Sequence, residues 1–141
     1  MKEFSSKKSV RILCLEDDDN DRELLEVALV NGGLVFDLIH ARNRQEFETA
    51  LAQGTFDLII SDFNIPAYDG MAALAIVRKV QEQTPFIFVS GTIGEQRAIE
   101  SLKKGANDFV LKDKRDRLVQ VVTSVLRESQ AGLKNKDATN P

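Results

Sequence analysis

The amino-acid sequence predicts an α/β fold built on a doubly wound, five-stranded parallel sheet with five helices. Two observations carry this. Short apolar runs rich in branched and aromatic residues recur from residue 10 onward, and each is followed by a stretch whose apolar residues repeat with helical spacing. Parallel strands need long crossover connections, and a helix after every strand supplies them in the right-handed sense.

The strands are read at Val10 to Leu15, Val35 to Ile39, Leu58 to Ile60, Phe86 to Val89 and Phe109 to Leu111. The runs at Leu58 and Phe86 are apolar on both faces and suit central strands, whereas the second run is broken by Asp37 and His40 and suits an edge. The helices are read from Leu25, Ala28 and Leu29; from Phe47, Ala50 and Leu51; from Leu74, Ile76 and Val77; from Ile99 and Leu102; and from Leu118, Val122 and Val125. Punctuation agrees: Asp19 or Asn20 can cap the first helix, with Asp19 preferred, Gly32 and Gly33 end it, and Gly54 and Gly105 follow the second and fourth.

The chain's 141 residues, 43% hydrophobic and 29% charged, fit one domain with a single core and leave no room for a second. The expected division is a tail over residues 1–9, a domain over 10–130, and a polar tail or linker over 131–141. A net charge of -3 gives no electrostatic reason to expect nucleic acid or an anionic membrane as partner. Cys14 has no second cysteine to pair with and lies within an apolar run, so a buried, inert thiol in a reducing compartment is expected. No apolar run approaches membrane-spanning length, and the expected location is the cytoplasm.

In sheets of this kind ligands sit outside the carboxyl ends of the strands. Those ends carry Glu16-Asp17-Asp18-Asp19, Ser61-Asp62, Ser90-Gly91 and Lys112. Carboxylates crowded at one rim repel unless a cation lies among them, and hard oxygen donors suit Mg²⁺; Glu16, Asp17 and Asp62 are the candidate ligands. A carboxylate beside a divalent ion can attack a phosphoryl group to form an aspartyl phosphate. Lys112 would add positive charge there, and the Ser90 hydroxyl with backbone amides near Asn64, Ser90 and Gly91 would donate hydrogen bonds to phosphate oxygens.

From about Val10 to Leu126 the chain resembles the receiver domains of response regulators in two-component signalling. The resemblance rests on an ordered set: Ile12 to Asp18, then Asp57 to Pro66 with Asp69-Gly70, then Phe88-Val89-Ser90-Gly91, then Gly105 to Lys112. It implies a flavodoxin-like strand order 2-1-3-4-5, with Asp62 as phosphoacceptor and Glu16, Asp17 and the main-chain carbonyl of Asn64 holding Mg²⁺. It further implies that Ser90 and Lys112 contact the phosphoryl group. Ser90 and Phe109 would be the switch pair that alters the surface of the fourth helix, fifth strand and fifth helix for a downstream protein partner. The phosphoryl donor would be a histidine kinase or a histidine phosphotransfer protein. The chain would be a switch that assists its own phosphotransfer and dephosphorylation, not a metabolic enzyme, and would act as a monomer or weak homodimer. The variant segment Val89 to Glu95 with Leu111-Lys112-Asp113 is similar to single-domain receivers and those associated with hybrid or phytochrome-type kinases. It departs from the family pattern in following its lysine with Asp113 where proline is usual.

Each signal has a plainer reading. An acidic run after a strand is often a solvated turn with a helix cap, and Asp18 and Asp19 keep that reading. Asp57 is read as a loop-end pairing group, His40 as a structural imidazole on the edge strand and not a phosphodonor, and Arg97, Lys103, Lys104, Arg115 and Arg117 as solvated charge. Two other functions use similar parts. A flavodoxin-like ligand-binding module would want a hydroxyl- and glycine-rich loop after the first strand, where this chain has four consecutive acids. An aspartyl phosphatase would want an acid two residues after its nucleophile, where this chain has Asn64.

Overall fold

The computed structural model describes residues 9–91 and 94–139, with side chains followed as far as residue 129. The elements run β1 (Val10–Leu15), α1 (Asp19–Asn31), β2 (Phe36–Ala41), α2 (Arg44–Gln53), β3 (Leu58–Ser61), β4 (Asn64–Ile65), β5 (Tyr68–Asp69), α3 (Gly70–Val80), β6 (Phe86–Ser90), α4 (Glu95–Lys103), β7 (Asp108–Leu111), a 3₁₀ segment (Lys112–Arg117) and α5 (Leu118–Thr139). Five strands form one sheet in the order β2-β1-β3-β6-β7, every pair parallel. With the small hairpin β4-β5 set aside, this is the order 2-1-3-4-5.

Alternation along the strands divides the core. Leu13 and Leu15 of β1 face one side with Phe47 and Leu51 of α2 and Leu74 and Val77 of α3. Ile12 and Cys14 face the other with Leu25 and Leu29 of α1 and Leu118, Val122 and Val125 of α5. Burying successive side chains on opposite faces is what a strand covered on both sides requires. The central pair shows it fully, since every residue of β3 and β6 is buried. Cys14 is a free, buried thiol whose pKa burial pushes up, an inert core residue.

Four details differ from the sequence reading. The cap of α1 is Asp18, whose carboxylate accepts from the Asp21 amide; Asp19 pairs instead with Arg42. The β4-β5 hairpin was not predicted, because two-residue strands carry no periodicity; its turn holds Ala67 at φ 62. A 3₁₀ segment kinked at Lys114, not read from the sequence, fills the path from Lys112 to α5. The backbone of α5 remains helical to Thr139, through most of the stretch read as a loose end, where alanine, leucine and lysine favour helix and the first proline is Pro141. Residues 1–8, at the expected N-terminal tail, and Thr92 and Ile93 of the loop before α4 lie outside the described residues.

Candidate functional site

Strand register assembles the rim. Leu15 lies level with Ser61, so the next residues, Glu16 and Asp62, emerge side by side from β1 and β3. The ladder continues one step further, with the Glu16 amide donating to the Ala41 carbonyl (3.0 Å) and the Asp62 amide to the Leu15 carbonyl (2.9 Å). Ser90 lies level with Leu111, which sets Lys112 one residue beyond it. Both acids therefore stand one residue past a strand end with their amides still paired to the neighbouring strand, and both are buried: Glu16 is 4% exposed and Asp62 8%. Ser90 is buried at 1%, and Phe109 on β7 is half-buried against the core under α2 and α3.

Charge is concentrated here. Ligand oxygens of Glu16, Asp17 and Asp62 all lie within 4.8 Å of one another, Asp17 alone being exposed. The Lys112 ammonium reaches Glu16 Oε1 at 3.0 Å, Asp62 Oδ2 at 3.0 Å and Asp21 Oδ2 at 2.6 Å. Burial pushes the Glu16 carboxyl up to about 7, with the Asp62 charge adding to the rise and the Lys112 hydrogen bond opposing it. Burial works against the Lys112 cation, yet the hydrogen bonds it donates to Asp21, Asp62 and Glu16 outweigh it and raise its pKa. Three hard oxygen donors converging where like charge is already costly fit a divalent cation, and the three acids read from the sequence are the three that converge.

Asp62 is held at both oxygens: Oδ2 accepts from Lys112, and Oδ1 accepts from the Asn64 amide at 3.1 Å. The amide comes from the first residue of β4, so the unpredicted hairpin orients the central carboxylate. Asn64 itself is exposed. Glu16 Oε2 accepts from the Asp18 amide (3.1 Å), and its carbonyl lies 2.7 Å from His40 Nε2. His40 is thus structural, as read, but its contact is to the acid rim.

Two residues at the rim were missed. Asp21, in the first turn of α1, holds Lys112 through Oδ2 and Arg115 through Oδ1, the latter at 3.0 Å. Its position among helix-start acids suggests only a favourable interaction with the helix dipole. Arg115, read as solvated, is half-buried and also donates to the Lys112 carbonyl at 2.9 Å. Arg115 stands three residues after Lys112 in a segment kinked at Lys114, so the spacing alone gave no regular turn from which to read the contact. Arg97 is likewise more than solvated charge: its guanidinium lies 4.7 Å from the centroid of the Phe63 ring and 3.7 Å from Asp69.

No helix among the described residues is long and apolar enough to cross a membrane. The sequence profile of the response regulator receiver domain matches residues 12–123. The response regulator protein PilR of Pseudomonas aeruginosa is 33% identical over 118 residues, which are 83% of this chain and 26% of that protein. The transcriptional regulatory protein FixJ of Bradyrhizobium diazoefficiens is 29% identical over 126 residues, 89% of this chain and 60% of that protein. The chain thus spans less than two thirds of either relative. Among solved structures, NtrX from Brucella abortus superposes with a TM-score of 0.82 at 25% identity, over 93% of this chain and 30% of that one. The receiver domain of the Francisella response regulator 1452 does so with a TM-score of 0.75 at 25% identity, over 86% and 99%. With the matched profile spanning every strand end of the acid rim, the chain belongs to the response regulator receiver domain family.

Proposed function

We propose that this receiver domain takes a phosphoryl group from a phosphohistidine onto Asp62 and relays the change to a protein partner. The observation that carries the reading is the surrounding of one buried carboxylate: Asp62 directly follows the central strand β3, faces the Lys112 ammonium at 3.0 Å, and shares its rim with Glu16 and Asp17. One Asp62 oxygen forms a bond to phosphorus as the bond from phosphorus to the donor imidazole nitrogen breaks, and the electron pair leaves with the ring. Bound by Glu16, Asp17, Asp62 and the Asn64 carbonyl, Mg²⁺ would neutralise charge on the carboxylate and the phosphoryl oxygens. Lys112 supplies a second positive charge, and Ser90, near the end of β6, donates a hydrogen bond to a phosphoryl oxygen.

Phe109 lies beside Phe88 in the sheet register and is only half-buried, a position from which its ring can turn inward as Ser90 shifts. The surface of α4, β7 and α5 would then change for its reader, with a histidine kinase or histidine phosphotransfer protein as donor and a cytoplasmic setting. The domain proper is taken as residues 10–130.

The test is incubation with acetyl phosphate, with and without Mg²⁺, followed by intact mass measurement. Wild type should gain one phosphoryl mass only with Mg²⁺, and Asp62→Asn should gain none. Equal gain by the variant would remove Asp62 from its assigned role.

A further inference from the structure

Lys112 has three carboxylate partners, and only two of them belong to the acid cluster that fits a cation. The third, Asp21, makes the shortest of the three contacts, 2.6 Å, and comes from a different element, the first turn of α1. That difference matters once Glu16 and Asp62 turn their oxygens to a metal and a phosphoryl group. An ammonium bound to those two acids alone would compete with the cation or lose its anchors. An ammonium with an acid outside the cluster keeps a fixed station at the rim.

Asp21 is itself fixed from three directions. Its amide donates to the Asp18 cap at 3.0 Å, Oδ1 accepts from Arg115 Nη2 at 3.0 Å, and Oδ2 is left to Lys112. Arg115 Nη1 donates back to the Lys112 carbonyl at 2.9 Å, which closes a ring from the Lys112 backbone through Arg115 and Asp21 to the Lys112 ammonium. The three side chains are partly covered, at 15%, 29% and 19% exposure for Lys112, Asp21 and Arg115, so their contacts are partly shielded from solvent.

We propose that Asp21, held by Arg115, is a positioning residue for Lys112, keeping its ammonium at the rim to meet the incoming phosphoryl group. The inference rests on the reading of Asp62 as phosphoacceptor. It adds a component from α1 to a site otherwise built from strand ends, and makes the 3₁₀ segment after β7 part of the machinery.

The experiment compares wild type with Asp21→Asn, Asp21→Glu, Lys112→Ala and the Asp21→Asn/Lys112→Ala double variant at saturating Mg²⁺ with acetyl phosphate. Asp21→Asn should slow phosphorylation about tenfold, the scale expected for removing a group that orients a reacting one. Asp21→Glu should recover part of the rate. In the Lys112→Ala background the same Asn substitution should cost almost nothing, because its effect passes through the lysine. Separately, the ¹⁵N signal of the Lys112 ammonium in metal-free, unphosphorylated protein should be protected from solvent exchange in wild type and lose that protection in Asp21→Asn. Wild-type rate in Asp21→Asn, an undiminished loss in the Lys112→Ala background, or an unchanged ammonium signal would each overturn the proposal. If wild type takes no phosphoryl group at all, the reading of Asp62 fails instead, and the ammonium signal still decides the role of Asp21.

Discussion

The two halves of the rim are built differently. On the β1-β3 side, Glu16 and Asp62 extend a continuous ladder, and each carboxylate meets specific donors at 3.0 to 3.1 Å. On the β6-α4 side, α4 buries only Ala98 and Ser101, leaves Ile99 and Leu102 exposed, and begins at Gly94 without a side-chain cap. From α4, Arg97 lies over the Phe63 ring and faces Asp69, both half-exposed in their ion pair. Chemistry on a phosphoryl group requires donors and acceptors already in position, whereas a signal requires an element that a few kcal/mol can displace. Under the proposed function the chain would separate the two demands along one rim of the sheet.

The acid half should be the most sensitive to pH. Folding raises the Glu16 carboxyl from its ordinary 4.5 to about 7, because the buried site disfavours its charge. The folded state therefore binds that proton more tightly than the unfolded state. Without metal, this contribution is full below about pH 4.5 and is lost as pH rises through about 7, a change on the order of 3 kcal/mol. Denaturant titrations in chelator from pH 5 to 8 should show the decline, and Glu16→Gln should flatten it. Asp21, lowered chiefly by its hydrogen bond to Lys112, acts with the opposite sign and below pH 4, so the windows do not overlap. Added Mg²⁺ should restore stability at pH 8 more than at pH 5.5, since proton and cation compete for one carboxylate.

The seam between the halves is the segment from Phe63 to Gly70. The Gly70 amide donates to the Phe63 carbonyl at 3.1 Å, and a Cβ at position 70 would stand 2.8 Å from that oxygen and 2.9 Å from Phe88 Cε1. Gly70→Ala should cost about 1–3 kcal/mol in chemical denaturation, because a backbone oxygen cannot yield as a flexible side chain can. If the seam couples the halves, amide exchange should rise at Asn64, whose N–H holds Asp62, as well as in α3. A rise confined to α3 would uncouple them.

The acid half was legible because its signal is local. Apolar runs that end on Glu16-Asp17, Asp62, Ser90 and Lys112 state both where strands stop and what chemistry stands there, and parallel pairing does the rest. Asp21 was not legible because its contacts with Lys112 and Arg115 join α1 to the segment after β7, across 91 and 94 residues. Nothing in the local sequence of α1 distinguishes an acid that reaches a distant lysine from one that merely favours a helix start. The cap was misplaced by one residue within four consecutive acids, where composition cannot choose; geometry selects Asp18, with extended φ and ψ of -99° and 120°. The hairpin was invisible for a third reason, since strands of two residues offer no alternation to detect.

On the α4 side smaller effects are expected, and they bear most directly on the comparison. Arg97→Ala removes a cation over an aromatic face and a half-exposed ion pair, together about 1 kcal/mol. Global stability should fall by that amount, while Mg²⁺ affinity, set on the other half, stays within about twofold of wild type.

Gly94→Ser is the finest probe. Gly94 has φ -62° and ψ 152°, which a serine adopts without strain, and a Cβ there would meet open space. A serine hydroxyl could accept from an amide in the first turn of α4, a gain of a few tenths of a kcal/mol. So small a change should leave the melting temperature nearly unmoved but slow amide exchange in α4 by up to about twofold, with α1 unaffected. If α4 is the displaceable element, its exchange is governed by its own termini and the cap will register there alone. If exchange slows equally across α1 and α4, or not at all in α4, the helix opens only with the whole domain. The contrast between a fixed acid half and a displaceable signalling half would then have to be abandoned.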